Sequence, residues 1–263
     1  RGRRASEGVN VYSSKDLYNW KYEALAFTPE LTDTSSDVAR GCVMERPKVI
    51  YNKKTKKYVM WFHLELRGKG YSAARAAVAV SDKVTGPYKF VHSFRPNGNM
   101  SRDMTLYVDN DGTAYQIYSS RENYDLRITR LSQDFLSATA DDKMLFSSHR
   151  EAPALFYHNK KYFLITSACT GWKPNKASLH TADSIWGLWT LMPDNPMKGP
   201  DQDITFDGQS TFIIPVAGKK NFFIFLADRW KPENLRDSRY LWLPINLDNG
   251  LPVVEWKNEW VLK

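Results

Sequence analysis

Apolar and polar positions along this chain form short runs, and the runs come in pairs. Each pair has a β-branched or apolar run, a turn rich in Gly, Asn, Asp or Lys, and a second run rich in aromatic residues. Two such runs joined by a turn of this composition predict a β-hairpin. Four hairpins are predicted in this way, at residues 48–63, 104–118, 154–166 and 210–226.

The four predicted hairpins form a repeat, because each begins just after a polar residue that we call its lead residue. The lead residues are Glu45, Asp103, Glu151 and Gln209, which are 58, 48 and 58 positions apart. Further strands are predicted behind the hairpins, at residues 76–81, 88–91, 126–131, 178–182, 189–192, 240–245 and 253–256. Repeats of about 40–50 residues with about four strands each are typical of propeller blades.

The N-terminal residues fit the same repeat as half a blade. Residues 9–13 and 20–27 resemble a third and a fourth strand, and no hairpin precedes them. We therefore expect an all-β, five-bladed β-propeller whose first blade is incomplete at the N-terminus, with its first two strands upstream of residue 1. The expected domain organisation is one propeller domain over residues 1–263.

The lead residues predict a functional site. Blades surround a central channel, so residues at the same place in each blade are expected on one ring at a mouth of that channel. Carboxyl groups brought close together have pKa values that separate, and acid/base chemistry requires such separation. Paired groups of this kind near aromatic rings favour glycoside hydrolysis. The alternative is that the lead residues cap strands or pair with Arg46, Arg102 and Arg150.

Composition narrows the class of protein. Hydrophobic residues make up 42% and charged residues 25% of the chain, as in ordinary soluble proteins, and no apolar run is long enough to span a membrane. Aromatic residues reach 14%, which suits sugar stacking, although most aromatics fill β cores. The net charge is +8, but the basic residues are scattered and the densest run lies in a predicted turn at 53–57. We therefore expect neither a nucleic-acid partner nor a membrane partner.

Cysteine and histidine are too few to predict a transition-metal site. Cys42 and Cys169 either pair or remain thiols, and the sequence leaves both options open. Two cysteines and five scattered histidines do not have the spacing of a zinc or copper site. We expect no catalytic metal and no organic cofactor, because hydrolysis needs only water and two positioned groups.

Four segments carry a family resemblance: ERPKV at 45–49, SRDM at 101–104, REAPA at 150–154 and DGQS at 207–210. In this order they resemble glycoside hydrolase family 43 and, more narrowly, its exo-β-1,3-galactanase branch. The resemblance extends over the chain from Val9 onward. It implies a catalytic propeller that releases galactose from the non-reducing end of β-1,3-galactan with inversion.

The resemblance also implies roles for the lead residues. Glu151 matches the general acid, Asp103 matches an aspartate that tunes the acid and contacts substrate, and Glu45 matches a glutamate that holds the terminal galactose. Gln209 matches a glutamine that replaces the usual aspartate base on the opposite side of the site. An amide has almost no basicity, so we expect it to orient water and to accept a proton only as an imidic acid tautomer.

Four further residues are candidates for substrate binding. Each has an alternative interpretation as packing in a turn, in the core or at the pocket rim. They are Arg46, Tyr71, Thr170 and Trp172.

Two other functions compete with the galactanase interpretation. One is another family 43 activity, an α-L-arabinofuranosidase or β-xylosidase, and the other is a catalytically silent carbohydrate-binding propeller. The resemblance implies an oligo- or polysaccharide substrate and a secreted or periplasmic protein. A carbohydrate-binding module attached upstream is also consistent with it.

Overall fold

The computed structural model describes residues 7–247 and 250–262. These residues form two compact units, which are described separately. The first unit contains the described residues up to Glu122, then Ile128–Asp142 and 259–262. The second unit contains Asn123–Arg127 and Lys143–Asn258. The predicted single domain over residues 1–263 therefore stays a prediction.

The N-terminal part of the first unit holds a two-stranded and a four-stranded antiparallel sheet. Its strands are Val9–Ser13 (β1), Lys21–Phe27 (β2), Val43–Asn52 (β3), Lys57–Glu65 (β4), Arg75–Ser81 (β5) and Lys89–Phe94 (β6). β1 pairs with β2, and β3 to β6 lie side by side in sequence order. The turn between β3 and β4 forms because the Asn52 side chain accepts the backbone N–H groups of Lys54 and Thr55.

A second four-stranded sheet follows along the chain. Its strands are Met104–Val108 (β7), Ala114–Ser120 (β8), Asp125–Leu131 (β9) and Ala138–Ser147 (β10), again adjacent in sequence order. Between β7 and β8 the chain turns at Gly112, whose φ of 86° is readily adopted only without a Cβ. The Gly112 N–H donates to the Asp109 carbonyl at 2.9 Å and closes the turn.

The second unit holds a four-stranded and a five-stranded sheet. Its strands are Arg150–His158 (β11), Lys161–Ala168 (β12), Ser178–Ala182 (β13), Thr190–Leu191 (β14), Met197–Lys198 (β15), Gln209–Pro215 (β16), Phe223–Arg229 (β17), Arg239–Asn246 (β18) and Val253–Glu255 (β19). The first sheet is β11 to β14 in order, and the second runs β15-β19-β18-β17-β16. Asn159 and Lys160, both with positive φ, form the two-residue turn of the β11–β12 hairpin.

The number of blades differs from the sequence prediction. Within the described residues there are four sheets of four or five strands, so the structure shows four blades and not five. The fifth blade was predicted from the two N-terminal runs that became β1 and β2. These strands form a two-stranded sheet of their own, which is too small to be a blade. The sequence also missed β10 and β15, whereas all four predicted hairpins are confirmed.

The cores explain why the aromatic runs form inner strands. In the first unit β4 is buried on both faces, with Phe62 packing against Phe27 on one side at 5.4 Å between ring centroids. On the other face the Trp61 indole N–H donates to the Phe135 carbonyl at 2.8 Å. In the second unit Phe156 packs against Phe163 at 5.2 Å. No helix among residues 7–247 and 250–262 is long and apolar enough to cross a membrane.

Candidate active site

The lead residues Glu45, in β3, and Glu151, in β11, lie at the same kind of β-bulge. The residue after each glutamate has a positive φ, 55° at Arg46 and 53° at Ala152, and a proline follows it. The register with the partner strand shifts at this point in both hairpins. Proline donates no ladder hydrogen bond and is tolerated where pairing is interrupted. A bulge redirects the neighbouring side chains, which gives both glutamates a local reason to leave the regular sheet pattern.

In the first unit Glu45 is held by two side chains. The Tyr71 hydroxyl donates to Glu45 Oε1 at 2.6 Å, and His63 Nδ1 lies 3.0 Å from Oε2. The imidazole N–H is not aligned with that oxygen, so we describe the second contact as an ion pair. The Glu45 side chain is 30% exposed and so keeps an open side.

His63 lies between two carboxylates. Its Nε2 is 2.8 Å from Glu65 Oε1, and its Nδ1 faces Glu45. Burial acts to lower the pKa of His63, but the contacts with Glu45 and Glu65 outweigh burial and raise that pKa to about 9. His63 is therefore protonated at neutral pH.

The charge on Glu45 follows from the same contacts. Burial acts to raise the pKa of Glu45, but His63, Tyr71 and the Arg46 charge together lower it below its ordinary value. Glu45 is therefore a carboxylate at neutral pH. It lacks the proton that a general acid must carry.

Asp103 forms an ion pair with Arg46. Arg46 Nη2 lies 2.9 Å from Asp103 Oδ2, with the two side chains only 6% and 14% exposed. Arg102, the sequence neighbour of Asp103, instead forms an ion pair with Glu122 and donates to the Tyr71 carbonyl. The alternative interpretation of the lead residues, pairing with arginine, thus applies to Asp103, although the partner is Arg46.

The same cluster offers donor atoms of the kind that a cation binds. Ligand atoms of Glu45, His63 and Asp103 lie within 4.8 Å of one another. Both nitrogens of His63 already face carboxylates, and Arg46 faces Asp103. Two positive side chains within the cluster oppose the entry of a divalent cation, so an ion-paired cluster describes these residues better.

In the second unit Glu151 and Gln209 are in direct contact. Gln209 Nε2 donates to Glu151 Oε1 at 2.8 Å, and Asn123 Nδ2 donates to Glu151 Oε2 at 2.9 Å. Both oxygens of the Glu151 carboxyl group therefore face an amide donor. The Arg150 guanidinium donates to the hydroxyl and carbonyl of Thr166, and its charge also interacts with that of Glu151.

Trp230 determines which way the Gln209 amide points. An indole N–H only donates, so the Gln209 atom 3.1 Å from Trp230 Nε1 is the carbonyl oxygen Oε1. Nε2 then faces Glu151 and Ser167, whose Oγ is 3.0 Å away.

The contact between Glu151 and Gln209 bears on the predicted geometry of an inverting pair. Two groups that act on opposite faces of a sugar stand about 6.5–9.5 Å apart. The 2.8 Å hydrogen bond is far shorter, so Gln209 cannot stand across a sugar from Glu151 in this arrangement. If Gln209 acts on the attacking water, its amide must move away from Glu151. If Gln209 holds Glu151 in place, no such movement is needed.

Two tryptophans form the aromatic part of this site. Trp172 and Trp230 make an edge-on contact with 5.5 Å between ring centroids, and both line a shallow pocket together with Gln209. Thr170 does not line that pocket. Its hydroxyl donates to the Lys173 carbonyl at 2.6 Å and accepts the Asn175 amide, so it stabilises the loop.

Sequence reasoning missed residues that the hairpin register would have found. His63 is paired with Glu45, and Ser167 with Glu151, across their hairpins. Residues directly opposite on antiparallel strands interact, so each lead residue predicts its cross-strand partner as a site residue. Asn123 lies in another sheet's turn and Trp230 follows β17, and no local pattern marks either one.

The sequence model of glycosyl hydrolases family 43 matches residues 3–261. The chain belongs to this family. Family 43 also accounts for the all-β propeller fold and for the four-strand blades. The general match does not by itself distinguish the activities found within the family.

Solved structures give a finer comparison. A family 43 β-1,3-galactosidase solved with galactodeoxynojirimycin is 46% identical, with a TM-score of 0.94 over 97% of this chain and 87% of that one. An exo-β-1,3-galactanase from Phanerochaete chrysosporium, solved with β-1,3-galactotriose, is 34% identical, with a TM-score of 0.87 over 96% of this chain and 57% of that one.

The curated relatives are more distant. A xylan 1,3-β-xylosidase from a Vibrio species is 23% identical over 96% of this chain and 50% of its own length. The chain thus spans about half the length of the curated relatives that it matches.

Proposed function

We propose that this chain is a glycoside hydrolase that releases galactose from the non-reducing end of β-1,3-galactan with inversion. The observation that carries the proposal is that Glu151 and Gln209, the acid and the amide that the galactanase resemblance implies, lie together in one site. The named β-1,3-galactan enzymes, at 34–46% identity, also support it better than the xylosidase relative at 23% supports the alternative activity.

Glu151 is the proposed general acid. It gives its proton to the glycosidic oxygen while the bond from that oxygen to C1 breaks, and water forms the new bond to C1 from the opposite face. The leaving sugar takes the proton, and Glu151 regains one from solvent. The Asn123 amide supports this role by fixing one carboxyl oxygen.

Gln209 is proposed to act on the water. Its Oε1 orients the attacking water and takes up its proton, while Nε2 releases one to solvent, which gives the imidic acid tautomer. Trp230 and Ser167 support the role because their contacts hold the amide in one orientation. Substrate entry must then separate Gln209 from Glu151.

The remaining residues are proposed to bind substrate. Glu45 and Tyr71 would hold the terminal galactose, and Asp103, paired with Arg46, would contact substrate and tune the acid. Trp172 and Thr170 belong to one loop, and Trp172 offers an exposed ring to a sugar. The proposed setting is arabinogalactan degradation by a secreted or periplasmic protein, because a polysaccharide has to be cleaved outside the cytoplasm. An attached carbohydrate-binding module also stays a prediction.

The stereochemical outcome tests the proposed function. Incubation with β-1,3-galactobiose, followed by proton NMR from the first minute, should show free α-galactose before the β-anomer. Inversion at C1 makes the α-anomer first, and mutarotation then mixes the two. A parallel sample of pure galactose measures the mutarotation rate under the same conditions.

Other results of that experiment point elsewhere. β-Galactose as the first product would contradict inversion. Hydrolysis of aryl α-L-arabinofuranoside or aryl β-xyloside with no cleavage of the galactobiose would favour the alternative family 43 activity. Binding of β-1,3-galactan with no product would indicate the silent propeller.

Trp172→Ala should weaken the binding of oligosaccharides. Loss of one stacked ring removes about 0.5–1.5 kcal/mol, so KM for β-1,3-galactotriose should rise about 2- to 10-fold with little change in kcat. The control is Tyr240→Ala, which removes another exposed ring of the second unit and should leave KM unchanged. An unchanged KM for Trp172→Ala would show that this ring does not contact substrate.

A further inference from the structure

His63 and Glu65 lie behind Glu45 in the first unit, and no step proposed above uses them. Their side chains are 2% and 0% exposed. Burying an ionised carboxylate beside an imidazolium is costly unless both are well paired, and an apolar pair would often serve packing better. Such a pair therefore calls for a purpose beyond packing.

Glu65 joins the two supports of Glu45. Its Oε1 faces His63 Nε2 at 2.8 Å, and His63 in turn faces Glu45. Its Oε2 accepts the backbone N–H groups of Ala73 and Ala74 at 2.9 and 3.0 Å. These two residues end the loop that follows β4.

The same loop supplies the second support. It carries Tyr71, whose hydroxyl donates to Glu45 at 2.6 Å, and the Tyr71 and His63 rings lie 6.0 Å apart. Glu65 thus supports Glu45 by two routes. One runs through His63, and the other runs through the loop backbone that carries Tyr71. The open side of Glu45 is the only part of its carboxylate that this arrangement leaves to a ligand.

We propose that His63 and Glu65 are positioning residues that hold Glu45 as a fixed carboxylate for two adjacent hydroxyls of the terminal sugar. This inference rests on the proposed function. A carboxylate whose oxygens are already oriented by one hydroxyl donor and one ion pair loses little freedom on binding a sugar, and hydrogen bonds to a charged acceptor are strong.

Glu65→Gln tests the proposal while keeping the shape of the side chain. The Gln oxygen can still accept the N–H groups of Ala73 and Ala74, and its NH2 group can donate to a neutral His63. The variant should therefore fold, but His63 should lose its proton at neutral pH. KM for β-1,3-galactobiose should rise about tenfold while kcat changes much less.

The pH profile separates positioning from simple structural support. The charged groups around His63 are Glu45, Glu65, Arg46 and Asp103, with the Tyr71 hydroxyl beside them. To keep the titration of the general acid out of the profile, binding is measured in the Glu151→Gln background, where the affinity for β-1,3-galactobiose should fall as the pH rises through about 9 and His63 loses its proton. In Glu65→Gln that fall should move at least about two pH units lower, to neutral pH or below, because one of two opposite charges is gone. Asp82→Asn, which removes an exposed carboxylate paired with Lys57, should leave the profile unchanged.

A measurement on the native protein tests the same idea without substrate. The ring 15N chemical shifts of the five histidines should show one imidazole that is still doubly protonated at pH 7.5. Its signals are assigned to His63 because they disappear in His63→Gln. A neutral His63, or an unmoved pH profile and KM in Glu65→Gln, would overturn the proposal. If the native protein cleaves no galactoside, the proposed function fails, and the NMR titration still reports on His63.

Discussion

Glu151→Gln should lower kcat for β-1,3-galactobiose by about 10²- to 10⁴-fold, the usual contribution of a general acid. The leaving group is then a sugar alkoxide, which is a poor leaving group without a proton. The variant should still fold. The new amide can turn its oxygen to Gln209 Nε2 and its NH2 to Asn123, whose own amide then flips to present its oxygen.

The leaving group provides the discriminating test for Glu151. The leaving group of a 2,4-dinitrophenyl β-galactoside is a stable phenolate that needs no proton. Glu151→Gln should therefore cleave this substrate at a rate close to that of the native protein. The matched control is Glu255→Gln, an exposed carboxylate of the second unit, which should retain activity on both substrates. Equal losses on both substrates would contradict the acid role and would point to a binding or folding defect.

The hairpins and their lead residues were predictable because both depend on local pattern. Alternating apolar runs and turn residues such as Asn159 and Gly112 determine where a hairpin forms. β10 was missed because its apolar run is short, three residues at 144–146 behind two adjacent aspartates, and few of its residues are buried. β15 has two residues and pairs in parallel with β19, so only the folded chain defines it.

The site was predictable to the same extent. Glu151 and Gln209 could be named from their position in the repeat. The orientation of the Gln209 amide could not be predicted, because it depends on the contact with Trp230. The pairing of Asp103 with Arg46 also depends on two segments far apart in sequence. Repeat position therefore predicts which residues lead each blade, whereas their partners and protonation depend on tertiary contacts.

Gln209→Ala should also lower kcat for β-1,3-galactobiose by about 10²-fold or more, as the loss of one oriented catalytic contact usually does. Near-native turnover would contradict any catalytic role for this amide. The matched control is Gln133→Ala, an exposed glutamine of the first unit, whose activity should be unchanged.

Because Gln209 contacts Glu151 directly, the loss of kcat in Gln209→Ala can arise in two ways. Azide and an activated leaving group distinguish them. If Gln209 acts on the water, azide should restore turnover of the alanine variant and give α-galactosyl azide, because this anion attacks C1 without a base. If Gln209 acts by holding Glu151, azide should have no effect, and the 2,4-dinitrophenyl substrate alone should restore the rate. We expect rescue by azide, because Trp230 and Ser167 hold the amide in one orientation, with Oε1 on the side of Trp230 and away from Glu151. Rescue by the 2,4-dinitrophenyl leaving group instead would show that Gln209 supports the general acid Glu151, in keeping with the 2.8 Å hydrogen bond between them.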